Sequence, residues 1–179
     1  IAGTPPIVDL GAYEFQPLIA DAGGPYPNID EGSPITFDGS GSRDPDGTIA
    51  LYEWDFEDDG TYDFSSTTSA SAAFTPPDDM LYTVRLRVTD NDGATNEDTA
   101  QFTVLNVAPT ISLGGNDTVD EGSTYTHTLG AITDPGDDAV TEWIVDWGDG
   151  TTDPYGSGGD RTHSYGDGPN SYTIRVDLT

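Results

Sequence analysis

The segment Tyr82-Thr83-Val84-Arg85-Leu86 has a close match 90 residues later, Tyr172-Thr173-Ile174-Arg175-Val176. The same offset relates the motif Asp30-Glu31-Gly32-Ser33 to Asp120-Glu121-Gly122-Ser123. Self-similarity at one fixed offset indicates two copies of one domain. We place the first domain at residues 17–108 and the second at 109–179, with residues 1–16 as an N-terminal arm that belongs to neither.

Within each copy, apolar and polar residues alternate in short runs bounded by Gly, Pro and Asp, which predicts half-buried β-strands. The predicted strands are 35–37, 49–56, 82–88 and 100–104 in the first copy, and 125–129, 140–147 and 172–178 in the second. This pattern predicts an all-β fold of two tandem antiparallel immunoglobulin-like β-sandwiches. The expected large core side chains are Tyr52, Trp54, Trp143 and Trp147.

The chain is strongly acidic, because it has 33 Asp and Glu residues against 5 Arg and no Lys, for a net charge of −28. Nucleic acids are bound through basic residues that neutralise phosphates, so this composition excludes nucleic-acid binding. The absence of Lys and Cys excludes Schiff-base chemistry, thiol catalysis and disulfides. No run reaches the roughly 18 apolar residues of a membrane helix, so we expect no membrane span.

Several motifs carry a family resemblance. They are Asp30-Glu31-Gly32, Phe37-Asp38-Gly39-Ser40-Gly41-Ser42, Asp44-Pro45-Asp46-Gly47, Tyr52-Glu53-Trp54-Asp55-Phe56, and the 82–90 strand with Asn91-Asp92-Gly93 in the first copy, and Trp147-Gly148-Asp149-Gly150-Thr151 in the second. Residues 17–179 thereby resemble tandem polycystic kidney disease (PKD) domains, although the second copy lacks the Phe-Asp-Gly-Ser run. The resemblance implies non-catalytic sandwiches of an extracellular or cell-surface protein, used as spacer, adhesion or interaction modules.

The second copy reaches only Thr179, so it lacks a counterpart of the first copy's last strand, 100–104. A sandwich without that strand would expose an apolar sheet edge, which invites pairing with another chain. The arm has the matching alternation, with Val8, Leu10 and Ala12 in register with Ala100, Phe102 and Val104. We therefore expect a neighbouring subunit's arm to complete the second domain, and this head-to-tail strand addition would build a homopolymeric filament. The predicted assembly interface comprises Ile7, Val8, Leu10, Ala12, Tyr172, Ile174, Val176 and Leu178.

A second interpretation explains the same features. Residues 8–15 resemble the closing rung of right-handed parallel β-helix proteins that carry PKD repeats, so the chain would be a fragment of a larger cell-surface protein or secreted enzyme. It would then serve as a spacer, an adhesion segment or a binding module for a surface glycan or protein. An exposed aromatic platform would mark a carbohydrate-contacting module, and the candidates are Tyr26, Tyr155 and Tyr165 in predicted loops.

The segment from Asp55 to Asp63 carries the pattern of a calcium-binding loop. Counted from Asp55, acids fall at positions one, three, five and nine with Gly at six, a spacing that lets a short loop wrap oxygens around Ca²⁺. The candidate ligands are Asp55, Glu57, Asp59, Thr61 through its carbonyl, and Asp63. Ser66 occupies position twelve, where a bidentate acid is expected, so the alternative is a plain acidic turn. Asp44 and Asp46 are weaker calcium candidates, because Arg43 can pair with either.

We expect no enzymatic activity. Nothing in the sequence sets the separation or the burial of a carboxylate pair, as glycosidase chemistry requires. His127 aligns with Phe37 and is expected to be a hydrogen-bonded core histidine, and His163 is expected in a Gly-rich loop without a nucleophile elbow. Residues 146–150 predict a tight hairpin turn. Asn116 lies in the chain's N-glycosylation sequon, Asn116-Asp117-Thr118.

Overall fold

A computed structural model describes residues 17–166 and 168–179, and this part of the chain is all-β. The strands are β1 (Ile29–Asp30), β2 (Ile35–Asp38), β3 (Ile49–Asp55), β4 (Phe64–Ser66), β5 (Ser71–Phe74), β6 (Leu81–Asp90), β7 (Thr95–Leu105), β8 (Thr110–Gly115), β9 (Thr124–Thr133), β10 (Trp143–Asp146), β11 (Thr152–Tyr155), β12 (Gly159–Ser164) and β13 (Arg175–Leu178). No helix in the described ranges is long and apolar enough to cross a membrane.

The described chain divides into two compact units. Unit 1 contains 17–29, Pro34–Thr75 and Leu81–Thr103, and unit 2 contains Asp30–Ser33, Pro76–Met80 and Val104–Thr179. Two loops that precede residue 104 in the sequence therefore group with unit 2. The domain bounds that the repeat predicts, 17–108 and 109–179, stay a prediction.

Unit 1 is built around a five-stranded sheet with the order β1-β7-β6-β3-β4 and a two-stranded sheet, β2-β5. Strand β6 pairs antiparallel with both β3 and β7. Every second side chain of β6 points inward, so that Val84, Leu86 and Val88 are fully buried. Phe37 of β2 stacks against Trp54 of β3 with ring centroids 5.6 Å apart. The alternation that predicted the strands thus fills the core of this unit.

Unit 2 has two three-stranded sheets, with the orders β11-β10-β13 and β12-β9-β8. Its core is formed by Leu129, Trp143, Val145, Trp147 and Tyr165. Trp147 is fully buried and its indole N–H donates to Asp153 at 2.8 Å.

The predicted hairpin at residues 146–150 is confirmed, because β10 and β11 pair antiparallel with Asp146 opposite Thr152. The hydrogen bonds of Asp149 with Thr151 and, to a smaller extent, with His163 lower the pKa of Asp149 to about 2. Asp149 therefore stays ionised and holds the turn over the whole range from about pH 4 upward.

The seven predicted strands all occur, with shifted bounds. The prediction at 172–178 is shortened to Arg175–Leu178, and the one at 140–147 to Trp143–Asp146. Six strands were missed, and they are β1, β4, β5, β8, β11 and β12. Most of the missed strands are short or rich in Ser, Thr, Gly and Asp, and they form because neighbouring strands supply hydrogen-bond partners rather than because of a strong local pattern.

Two expectations about histidines are wrong. His163 lies in strand β12, not in a loop, and its ring stacks on Trp147 with centroids 4.8 Å apart while Nε2 lies 2.7 Å from Asp149. His127 is 7% exposed as expected of a core residue, but neither ring nitrogen has a hydrogen-bond partner among the described residues. Burial lowers the pKa of His127, so the ring is neutral and carries an uncompensated polar group.

We predict that His127→Phe raises the free energy of unfolding by about 1 kcal/mol at pH 7, because it removes an unsatisfied buried polar side chain. In the wild-type protein the unfolded state binds a proton below the ordinary histidine pKa of about 6.5, whereas the folded state binds it only at lower pH. The stability of the wild-type protein therefore falls as the pH drops below about 6.5, and part of this fall is absent in His127→Phe. Urea denaturation between pH 5 and 8 measures both effects, and parallel curves would contradict the prediction.

We also predict different effects for two glycines of the β10–β11 turn. Gly148 has φ +80°, and a Cβ there would lie 2.6 Å from the carbonyl oxygen of Thr173. Gly150 has φ +94°, and a Cβ there would meet nothing within 4 Å. Both alanine variants carry backbone strain of about 1–2 kcal/mol, but Gly148→Ala adds a backbone clash. Gly148→Ala should therefore lower the melting temperature clearly more than Gly150→Ala, and equal losses would be the contrary result.

Candidate functional site

The acidic loop between β3 and β4 contains the first predicted calcium site. Asp55, the last residue of β3, is fully buried. Its Oδ1 accepts hydrogen bonds from the backbone N–H groups of Glu57 and Asp59 at 3.3 and 3.2 Å, and its Oδ2 accepts one from Gly60 at 2.8 Å. Asp55 therefore closes the loop by accepting backbone hydrogen bonds, as Asp side chains do in turns.

Two arginines of β6 neutralise carboxylates around this loop. Arg85 lies 2.5 Å from Asp58 and 2.7 Å from Glu97, and these hydrogen bonds raise the pKa of the guanidinium above its ordinary value. Arg87 pairs with Glu53 at 2.7 Å. Asp58 has φ +55°, a left-handed conformation in which Asp is tolerated. Of these carboxylates only Asp58 belongs to the loop, so the Arg85–Asp58 ion pair links the loop to β6.

The loop does not gather its predicted ligands. Within the described ranges, the one group of three or more acidic or histidine side chains with ligand atoms within 4.8 Å of one another lies elsewhere. Asp59 and Asp63 instead accept the backbone N–H groups of Thr61 and Phe56, at 2.7 and 2.9 Å. Calcium binding at this loop stays a prediction, and the observed hydrogen bonds agree with the alternative of a plain acidic turn.

Asp44 and Asp46 lie in the loop between β2 and β3. Desolvation is the main cause that raises the pKa of Asp44, and the side-chain hydrogen bond with Asp46 and the negative charge of Asp46 raise it further. The charge of Asp90 adds to this repulsion. The three carboxylates are not among the side chains that come together within 4.8 Å, so a calcium site at Asp44 and Asp46 also stays a prediction.

A different acidic cluster was missed by the sequence analysis. Glu31, Asp78, Asp79 and Asp138 each place one ligand atom within 4.8 Å of the others, and all four belong to unit 2. Glu31, the pair Asp78-Asp79 and Asp138 are far apart in the sequence, so no spacing rule connects them. The motif Asp30-Glu31-Gly32 contains one member of the cluster and gives no indication of the other three.

Strand β13 lies at the edge of its sheet, with β10 as its neighbour in the described chain. The repeat makes Ile174, Val176 and Leu178 the counterparts of Val84, Leu86 and Val88. The three β6 side chains are fully buried, whereas the three counterparts are only half-buried against the core of unit 2. This difference in side-chain burial has a structural counterpart. Strand β7 pairs with β6, whereas no equivalent strand lies beside β13 in the described residues.

The remaining predicted positions have varied surroundings. Ile7, Val8, Leu10 and Ala12 of the arm lie outside the described residues. Tyr172, the remaining residue of the predicted interface, is half-buried and stacks on Tyr165 with ring centroids 4.4 Å apart. Asn116 is exposed just after β8, and its glycosylation stays a prediction.

The three tyrosines proposed for a platform do not form one. Tyr165 is only 8% exposed and donates its hydroxyl to the Trp147 carbonyl at 3.1 Å. Tyr26 is half-buried and donates its hydroxyl to Ala22 at 2.6 Å. Tyr155 lies in strand β11, not in a loop, and Arg161 covers its ring at 4.4 Å. These contacts use the tyrosines inside the fold.

We predict that Asp55→Asn lowers the free energy of unfolding by about 1–3 kcal/mol, because the amide nitrogen cannot accept the hydrogen bond of Gly60. Glu57→Gln is the matched control, because Glu57 is exposed in the same loop. For this control we expect a change below about 0.5 kcal/mol. Urea unfolding followed by circular dichroism measures both variants, and an Asp55→Asn protein as stable as the control would contradict this structural role.

Comparison with known proteins gives three findings. A family model described as PKD domain matches residues 15–104. Collagenase ColA of Clostridium perfringens is 37% identical over 75 residues, which are 42% of this chain and 6% of that protein, so the chain spans a small part of this relative. The solved PKD1 domain of Vibrio anguillarum Epp is 30% identical with a TM-score of 0.40, and the match covers 51% of this chain and 96% of that domain.

Proposed function

The chain belongs to the PKD domain family, and from this we propose that it is a non-catalytic module of an extracellular protein whose strand β13 pairs with a β-strand from a neighbouring polypeptide. The observation that carries the proposal is the contrast in burial between two copies of one strand. Val84, Leu86 and Val88 are fully buried beside β7, whereas their counterparts, Ile174 just before β13 and Val176 and Leu178 within it, are half-buried.

Strand addition at β13 would supply what β7 supplies in unit 1. Phe102 and Val104 of β7 are 3% and 2% exposed, so β7 brings apolar side chains to the core as well as backbone partners. An added strand would bury the remaining exposed part of Ile174, Val176 and Leu178 at roughly 25 cal/mol per Å². It would also pair the backbone edge of β13 that no described strand occupies, which is the recognition mode of β-augmentation.

We propose that the donor is the arm, residues 1–16, of a second copy. Its alternating Val8, Leu10 and Ala12 match the inward positions of β7 in the sequence. An arm that joins the next subunit makes a head-to-tail contact, and such a contact does not close, so the product is a filament. The alternative donor is a strand from elsewhere in a longer polypeptide, in which case the chain acts as a spacer or binding module. The similarity to part of a collagenase supports this alternative.

Deletion of residues 1–16 tests the donor. We expect the full chain to form filaments at micromolar concentration, and the deletion variant to remain monomeric, because the edge of β13 opposite β10 then has no donor strand. A synthetic peptide of residues 1–16 should bind the deletion variant and raise its melting temperature. Sedimentation, electron microscopy and calorimetric titration measure these three results.

Two variants of the arm provide the control. Leu10→Asp places a charge at an inward position and should abolish assembly, whereas Asp9→Asn alters the alternate position and should leave assembly intact. Monodisperse monomers of the full chain, together with a peptide that does not bind, would overturn strand donation by the arm and favour the spacer.

A further inference from the structure

We infer that the cluster of Glu31, Asp78, Asp79 and Asp138, called here the Glu31 cluster, is a calcium-binding site of unit 2. Its central residue is Glu31, which is 2% exposed and is the second residue of the motif Asp30-Glu31-Gly32. The Oε2 atom of Glu31 is buried and has no hydrogen-bond partner in the described structure. A buried carboxylate oxygen without a partner is strongly unfavourable unless a cation or a proton compensates it.

The structure holds Glu31 firmly in this place. Its backbone N–H donates to the carbonyl of Leu105 at 3.1 Å, and its Oε1 accepts the backbone N–H of Val107 at 2.8 Å. Gly136 packs so closely against the carboxylate that a Cβ at this position would overlap Oε2. The side chain is therefore fixed at both ends, and only Oε2 remains for a ligand.

Three further carboxylates converge on the same space. Asp78 and Asp79 lie in the loop before β6, and Asp138 lies in the segment between β9 and β10. The ligand atoms of all four residues lie within 4.8 Å of one another. Oxygens on opposite sides of a calcium ion are about 4.6–5.2 Å apart, since Ca–O distances are about 2.3–2.6 Å. One calcium ion can therefore contact all four side chains.

Part of the cluster's negative charge has no basic partner among the described residues. Neither arginine nor histidine forms an ion pair with Glu31, Asp79 or Asp138 in the described ranges. Asp138 accepts a hydrogen bond from the Asn106 amide at 2.5 Å, which positions it without neutralising its charge. Carboxylates this close repel one another, and a divalent cation between them would offset this repulsion.

The ligand chemistry selects calcium over other metals. The cluster offers only carboxylate oxygens, which suit hard cations, and it has none of the nitrogen or sulfur ligands typical of zinc sites. Magnesium requires near-ideal octahedral geometry and keeps several waters, whereas calcium accepts irregular sets of six to eight oxygens. Four carboxylates from separate loops form such an irregular set. Bound calcium would cross-link Asp30–Ser33, Pro76–Met80 and the segment around Asp138 within unit 2.

Calorimetric titration of the chelator-treated full chain with CaCl₂ tests the inference. We expect saturable binding and a rise in melting temperature, and Glu31→Gln should weaken the affinity at least tenfold. Glutamine keeps the oxygen that accepts the Val107 N–H but removes the charge at the site. The matched control is Glu121→Gln, because Glu121 is the repeat counterpart of Glu31 and is exposed. This control should bind calcium like the wild-type protein.

Two further measurements locate the bound ion. Asp138→Asn alters an exposed ligand and should also weaken binding, which keeps the test valid if Glu31→Gln fails to fold. In NMR spectra of the wild-type protein, calcium should shift the amide resonances of Val107 and Gly136 first. Absence of binding at millimolar calcium, or equal affinity in wild type, Glu31→Gln and Asp138→Asn, would overturn the inference.

Discussion

The burial of alternating side chains along the repeated strand is the interaction on which each sandwich depends. In β6, Tyr82, Val84, Leu86 and Val88 are at most 3% exposed. Full burial of each apolar side chain of this size contributes about 1.5–3 kcal/mol, so the four together contribute an amount comparable to the net stability of a typical domain, about 5–15 kcal/mol. Its two neighbours, β3 and β7, are placed by the need to cover these side chains and to pair the backbone. The same strand in unit 2 has one such neighbour in the described chain, and its half-burial is the physical basis of the proposed function.

The acidic residues have several distinct uses, although the composition makes them look alike. Asp55, Asp90 and Asp149 accept backbone hydrogen bonds and close turns. Asp58 and Glu97 pair with Arg85. Glu31 differs from both groups, because it is buried and keeps one oxygen without a partner. A charge of −28 therefore does not by itself mark a metal site. Asp55 is as deeply buried as Glu31, and the two differ because only Glu31 keeps a buried oxygen without a hydrogen-bond partner.

The two proposals concern different parts of unit 2 and rest on different physics. Strand addition at β13 depends on apolar burial and on a backbone edge that pairs with no strand in the described ranges. Calcium binding at the Glu31 cluster depends on desolvated charge. In both proposals the module gains stability from a second molecule. In the first proposal this is a β-strand of a neighbouring polypeptide, and in the second it is a calcium ion. This arrangement suits a binding or spacer module, since stability that depends on a partner or an ion is linked to their presence by mass action.

The sequence by itself determined the all-β class, the two copies and the inward positions of the long strands. Strand alternation is a local property with a period of two residues, so Val84 and Ile174 could be assigned to the core from their neighbours alone. The tertiary structure decided which loops meet. Asp78 and Asp138 lie far from Glu31 in the chain, and only folding brings their carboxylates together. It also decided that His127 lacks the hydrogen bonds expected for it and that the Asp55 loop accepts backbone donors. Hydrogen-bond partners, burial and desolvation depend on residues remote in sequence, whereas the alternation of a strand does not.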